Sequence, residues 1–210
     1  MGGIKPYRVP AGEGEDVLIE KKSRCIGHVY KVETIEEINE ILAAQRKKYW
    51  DASHVVYAYI LKNGVMRFSD DGEPGGTAGN PMMQVLQREQ IYNVVCVVTR
   101  YFGGILLGAG GLVRAYTKGA KIAIDAAGKS MKRVWSVLYV PCPYTFYERM
   151  KLEVAAFGGI IRDTQFGAEV ELELLFPEAQ AQPFLDRLTD MTAGTVDGME
   201  TGKEYRAFPV

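Results

Sequence analysis

The sequence predicts an α+β fold divided into two domains, residues 1–133 and residues 134–210. Gly128-Lys129-Ser130, followed by basic residues, has the composition of an exposed connection between domains. The net charge changes sign close to this connection. Residues 1–133 carry 19 Lys and Arg against 14 Asp and Glu, whereas residues 134–210 carry 6 Lys and Arg against 12 Asp and Glu. A chain of 210 residues with 47% hydrophobic and 24% charged residues suits two small globular domains.

In the first domain, hydrophobic spacing predicts strands and three helices. Thr34 and Glu37 form a capping-box pattern before apolar residues at helical spacing, which predicts an amphipathic helix over residues 35–49. Asn80-Pro81 predicts the start of a second helix, with the capping side chain followed by proline at the first helical position. The other predicted elements are two strands within residues 17–32, strands over residues 53–61 and 94–98, and a helix that ends near residue 127.

The sequence of the second domain predicts the element order β-α-β-β-α-β, which is the split βαβ or ferredoxin-like plan. The predicted elements are a strand over residues 137–144, a helix over 146–157, strands over 160–165 and 169–176, a helix over 179–191 and a strand near 195–200. Glu169, Glu171 and Glu173 alternate with apolar residues, which predicts a sheet with one polar and one buried face. We interpret that acidic face as solvated rather than as a metal site.

Composition sets bounds on the class of protein. Apolar runs stay shorter than the ~18 residues of a membrane helix, and MGGIKPYRVP lacks the apolar core of a secretory signal. Cys25, Cys96 and Cys142 are isolated, so neither a disulfide nor a zinc site is expected. These observations predict a cytoplasmic protein without a membrane partner.

Residues 68–116 contain the candidate functional residues, beginning with a glycine-rich connection between a strand and a helix. Free N–H groups at the start of a helix favour an anion, and arginine binds anions bidentately. The candidate ligand- or anion-binding residues are Arg100, Gly103, Gly104, Gly108, Gly110, Gly111, Arg114, Tyr116 and Thr77. The alternative is that these glycines only permit a tight connection.

The acidic cluster Asp70, Asp71 and Glu73 precedes these glycines. The three carboxylates could form a turn, cap the glycine loop, pair with Arg100 or Arg114, or hold Mg²⁺ beside a phosphate. The spacing of an EF-hand is absent, and we predict no metal and no cofactor.

Three accessory residues lie outside this stretch. His54 opens a predicted strand and is either a structural hydrogen-bonding group or a base. Lys22 and Arg24 lie at a hairpin end and form either part of a basic rim or a solvated turn.

Four segments together resemble the IMPACT/YigZ family: KSRCIGHVYKV, DASHVVYAY, SDDGEPGGTAGNP and VTRYFGGILLGAGGLVRAY. The resemblance covers about the first 130 residues, and the remainder resembles the smaller second domain of bacterial members. It implies a first domain similar to domain two of ribosomal protein S five. The second would be similar to the last domain of elongation factor G. The resemblance also implies a role in translation, because eukaryotic members act in translational control.

Two functions remain open at this stage. The first is a non-enzymatic, translation-associated regulator or binding module that contacts RNA, the ribosome or a protein partner through the glycine- and arginine-rich surface. Tyr101, Phe102 and Tyr116 would then be the aromatic residues available for stacking with bases.

The alternative is an enzyme that acts on a phosphorylated or anionic small molecule at the DDGEP and glycine-loop cleft, with His54 or Asp71 as the base. We favour the regulator, since neither a P-loop pattern nor a base–nucleophile pair is present.

Overall fold

The computed structural model describes residues 5–209, which fold into two compact units. Tyr7–Met131 form most of one unit, and Lys132–Arg206 form most of the other. Both units combine strands with helices, which confirms the predicted two-domain α+β organisation. The boundary between residues 133 and 134 stays a prediction. In the described part of the chain, the helices are too short or too polar to cross a membrane.

The first unit contains an antiparallel sheet with the strand order β2-β3-β6-β4-β5. Its elements are β1 (Tyr7–Pro10), β2 (Gly14–Glu20), β3 (Ser23–Lys31), α1 (Ile35–Lys48), β4 (His54–Ile60), β5 (Met66–Ser69), α2 (Gly79–Arg88), β6 (Val94–Tyr101) and α3 (Gly108–Ala127). β6 lies at the centre, and its apolar run is buried on both faces, as predicted. Helices α2 and α3 pack with one face of the sheet, and α1 packs with the other.

Sequence motifs at the helix starts predict the start of α1 correctly, but they misplace the start of α2. Thr34 and Glu37 form the predicted capping box at the start of α1. The prediction that Asn80 caps α2 is wrong, because the helix begins at Gly79. The cap comes from a residue distant in sequence: Asp70 Oδ1 accepts hydrogen bonds from the backbone N–H groups of Ala78 (3.1 Å) and Gly79 (2.7 Å).

The second unit follows the predicted β-α-β-β-α-β order. Its elements are β7 (Lys129–Cys142), α4 (Tyr144–Ala156), β8 (Ile160–Phe166), β9 (Val170–Pro177), α5 (Glu178–Thr192) and β10 (Met199–Pro209). The five-stranded sheet has the order β1-β7-β9-β8, and β10 also pairs with β7, so β10, β7, β9 and β8 have the neighbours of a ferredoxin-like sheet. The predicted last strand is displaced, since β10 begins at Met199. Lys129 and Ser130, which the sequence places at the domain boundary, belong to β7.

Helix α3 approaches the sheet closely at Gly27 of β3. A Cβ atom at this position would lie 2.4 Å from the carbonyl oxygen of Gly119. This contact explains a glycine within a strand, where it otherwise weakens the sheet.

We therefore expect Gly27→Ala to destabilise the protein by about 1–3 kcal/mol, because the added methyl group forces the helix away from the sheet. The free energy of unfolding in urea is the measurement. Gly12→Ala is the matched control, since a Cβ there meets nothing within 4 Å. Equal stability of the two variants would contradict the close approach.

A second buried feature lies under α1. His28 is buried on β3, with Nε2 3.0 Å from the hydroxyl of Tyr49 and Nδ1 3.4 Å from a carboxylate oxygen of Glu15. Burial lowers the pKa of His28, although Glu15 opposes the shift. The folded protein therefore favours the neutral imidazole.

Because the pKa of His28 is lower in the folded protein, its contribution to stability is complete above the unfolded pKa of about 6.5 and is lost as the pH falls below it. We expect the wild type to lose more unfolding free energy between about pH 7.5 and about pH 5 than His28→Gln does. Urea unfolding at both pH values measures this difference. Identical losses would show that His28 does not sense pH.

Candidate functional site

The stretch of residues 68–116 is organised around a buried ion pair in the first unit. Arg100 lies near the end of β6 and is buried. Its Nε donates a 2.5 Å hydrogen bond to Oε1 of Glu73, and the hydroxyl of Tyr116 donates a 2.6 Å bond to the same oxygen. Strand β6, the DDGEP segment and helix α3 are therefore joined at one carboxylate.

The ionisation states follow from this arrangement. Burial disfavours a charged Arg100, but the hydrogen bond and charge of Glu73 raise its pKa above the ordinary value. Burial and the bond to Glu73 also raise the pKa of Tyr116, so its hydroxyl remains a donor. Burial raises the pKa of neighbouring Cys25 to about 11, which keeps that side chain a thiol.

His54 holds the acidic segment from the side. Its Nδ1 lies 2.7 Å from the carbonyl oxygen of Asp71, which can only accept, so Nδ1 carries a proton. Its Nε2 lies 3.7 Å from Oε2 of Glu73. Asp71 adopts a φ of 45°, and its Oδ2 accepts a 2.6 Å hydrogen bond from the backbone of Val55. Both side chains thus fasten the turn to β4.

The three predicted acids do not converge on a common point. Asp70 accepts hydrogen bonds from Gly76 as well as from the start of α2, and Glu73 is paired with Arg100. Thr77 is also buried, and its hydroxyl donates to the carbonyl of Pro74 at 2.6 Å. Within residues 5–209, no group of three or more His, Cys, Asp and Glu side chains is arranged to hold a metal ion.

Several of the candidate glycines are explained by the path of the chain. A Cβ at Gly103 would lie 2.0 Å from the backbone of Lys22, so this loop packs on the turn between β2 and β3. Gly104 and Gly108 have φ values of 82° and 69°, which favour glycine. A Cβ at Gly111 would lie 2.9 Å from the side chain of Leu107. Gly104, Gly108 and Gly110 are exposed, and Gly110 has Arg114 beside it.

The structure separates the basic residues that the sequence grouped together. Arg100 is buried, whereas Arg114 on α3 is exposed. Arg24 pairs in register with Tyr101, whose hydroxyl binds Asp51 after α1, so Arg24 lies on the other face of the sheet. Lys22 is exposed in the hairpin turn, where it adopts a φ of 66°.

The structure corrects one further expectation and adds two residues that the sequence analysis did not single out. Tyr116 is completely buried, so it does not stack with bases or line an external site. Sequence reasoning also passed over Ile105 and Leu106, which are 43% and 83% exposed in the connection from β6 to α3. The available sequence signal was the apolar run Ile105-Leu106-Leu107 between two groups of glycines.

An open cavity of about 240 Å³ lies between this connection and the first turn of α3. Its apolar lining consists of Pro74, Phe102, Leu106, Leu107, Ala109 and Leu112. The paired side chains of Arg100 and Glu73 also line it. Helix α3 begins after Leu107 without a side-chain cap and without an acidic residue in its first turn.

We expect Glu73→Gln to lower the free energy of unfolding by about 3–5 kcal/mol, because it leaves the buried guanidinium of Arg100 without a counter-charge. Urea unfolding at neutral pH is the measurement. Asp125→Asn is the control, since it removes an exposed ion pair with Lys121 and should cost less than about 1 kcal/mol. A similar small effect of both variants would contradict the central role of the buried pair.

Comparisons with known proteins cover both units. Residues 21–124 match the Impact N-terminal domain, and residues 140–195 match a domain of unknown function, DUF1949. The chain is 33% identical over 194 residues to the IMPACT family member YvyE of Bacillus subtilis strain 168, covering 91% of this chain and 89% of that protein. It is 30% identical over 197 residues to the IMPACT family member YigZ of Escherichia coli strain K12, covering 92% and 97%.

A solved structure resembles nearly the whole chain. The crystal structure of a hypothetical protein superposes with a TM-score of 0.60 at 30% identity, covering 95% of this chain and 98% of the other. Part of the chain also resembles part of the Protein IMPACT homolog of Dictyostelium discoideum, at 39% identity over 97 residues, or 43% of this chain and 28% of that protein. On the extent and identity of the bacterial matches, the chain belongs to the IMPACT family.

Proposed function

We propose that this protein is a translation-associated regulator that works as a non-enzymatic binding module in the cytoplasm. Its first domain would contact RNA, the ribosome or a protein partner through the surface beside the start of α3. One observation carries the proposal: the buried charges of the site bind one another, while the exposed surface above them consists of the apolar connection, an uncapped helix end and Arg114.

The arrangement favours binding over catalysis because neither candidate base, Asp71 or His54, lines the cavity beside the start of α3. Asp71 accepts from the backbone of Val55, and His54 directs one nitrogen to the carbonyl of Asp71 and the other towards Glu73. A general base needs a free acceptor within hydrogen-bond reach of a substrate proton. An enzyme acting on an anionic small molecule at this cleft therefore has less support.

The association with translation rests on the family relatives and on the net positive charge of residues 1–133. Relatives named IMPACT match the first unit, and the family resemblance implies translational control. Residues 1–133 carry a net charge of +5, which favours an anionic partner such as a ribosomal surface. The fold alone would not support this conclusion, since one fold serves many functions.

Sedimentation of the purified protein with ribosomes at about 50 mM and about 200 mM salt tests the proposal. We expect binding that weakens at higher salt, because neutralised phosphates release counterions. Arg114→Glu should reduce the bound fraction several-fold, because it reverses the charge of an exposed side chain beside the helix start.

Lys118→Glu is the matched control, since it makes the same charge change at an exposed position one turn further along α3. It should bind more strongly than Arg114→Glu does. Absence of the wild type from the ribosome pellet at low salt would refute a role at the ribosome. Equal loss in both variants would refute the assignment of the surface.

A further inference from the structure

We propose that the cavity beside the start of α3 is an anchor pocket for a protein segment in which a large apolar side chain stands next to Asp or Glu. This inference deepens the proposed function and rests on it, because it names the partner of the same surface as a protein. The pocket is formed by the connection from β6 to α3 and by the first turn of α3.

The lining determines the class of group that enters. Pro74, Phe102, Leu107 and Leu112 present apolar surface to a cavity of about 240 Å³. That volume is below the roughly 300–1,000 Å³ of sites that enclose a whole small ligand. It suits a single buried side chain, which is how the strongest contacts of protein interfaces are made.

The rim supplies a contact surface around the anchor. Phe102, Ile105 and Leu106 are 50%, 43% and 83% exposed, although they lie within five consecutive residues. Apolar side chains gathered at the mouth of a cavity are typical of a protein interaction site. Leu106 and Phe102 belong both to the rim and to the lining.

The charged groups at the pocket argue against a free phosphate or nucleotide inside it. Arg100 lines the cavity, but its Nε bonds Glu73, whose carboxylate also accepts from Tyr116. The pair has no net charge. A phosphate entering the cavity would meet the Glu73 carboxylate as well as the guanidinium, so the repulsion offsets much of the attraction.

Positive potential lies beside the mouth rather than within it. The first N–H groups of any α-helix have no partner within the helix. In α3 no side chain caps them and no acidic residue lies in the first turn, so the partial positive charge of the helix dipole is not neutralised there. The Arg114 guanidinium lies against the same turn on a side of α3 that does not line the cavity, with Nη1 3.6 Å from where a Cβ of Gly110 would stand, and it adds positive charge to the helix start. An acidic residue adjacent to the anchor would therefore meet complementary charge.

The test uses three sets of synthetic hexapeptides added to the full chain. The first set has Leu, Phe or Trp at the third position with Glu on both sides; the second has Lys on both sides; the third has Glu flanks and Ala at the third position. Amide chemical shifts report the affinity and show whether residues 108–112 respond. We expect a peptide of the first set to bind at least about threefold more tightly than its Lys-flanked counterpart, and the Ala set to bind at least about tenfold more weakly.

Ala109→Trp is the decisive variant, because it fills the mouth of the pocket from an exposed helix position and leaves the core intact. It should weaken the first set at least about tenfold. Leu152→Asp is the control, since it changes an apolar side chain that is 73% exposed on α4 and should leave binding unchanged. Failure of every peptide of the first set to bind below about 1 mM, or equal binding by Ala109→Trp, would overturn the inference.

An RNA oligonucleotide that shifts residues 108–112 and competes with the peptides would also overturn it, because Phe102 would then be a stacking platform. The two proposals fail separately. Ribosome binding that Ala109→Trp leaves unchanged would reject the pocket and keep the proposed function. Peptide binding without ribosome binding would keep the pocket and reject the role at the ribosome.

Discussion

The carboxylate of Glu73 connects three separate segments of the first unit: the DDGEP segment, β6 and α3. It is only 3% exposed, and it accepts hydrogen bonds from Arg100 on β6 and Tyr116 on α3. A buried carboxylate is costly unless it is paired and hydrogen-bonded. The position of the DDGEP segment is therefore tied to the register of β6 and to the rotation of α3, and a shift in either element would leave a charge unpaired.

This constraint explains why a stretch rich in charge exposes so little of it. Asp70 caps the start of α2, Asp71 binds the backbone of β4, and Arg100 is held by Glu73. The two aspartates thus bind backbone N–H groups, and Arg100 binds the side chain of Glu73. Of the two arginines that the sequence offers as an anion clamp, only Arg114 reaches the surface. The site therefore presents an apolar surface beside a helix start that has no side-chain cap.

Elements with local signals could be predicted from the sequence, and contacts between distant residues could not. The capping box places α1 because Thr34 and Glu37 are three residues apart, and the apolar run places β6 because it is buried on both faces. The cap of α2 could be predicted only in part: the acids were candidates to cap the glycine loop, but Asp70 lies eight and nine residues before the N–H groups that it binds at the helix start. Arg24 and Arg100 look equivalent in sequence, but the strand register places them on opposite faces of the sheet.

The exposed apolar connection follows from the same geometry. Gly103 packs against the backbone of Lys22, and α3 begins at Gly108, so both ends of the loop are fixed. Only Leu107 turns inward, and Ile105 and Leu106 are left facing outward. Burying apolar surface stabilises a complex by about 25 cal/mol for each Å² removed from water. Since both ends are already fixed, a partner that covers this loop orders little additional chain, and more of that gain is retained as affinity.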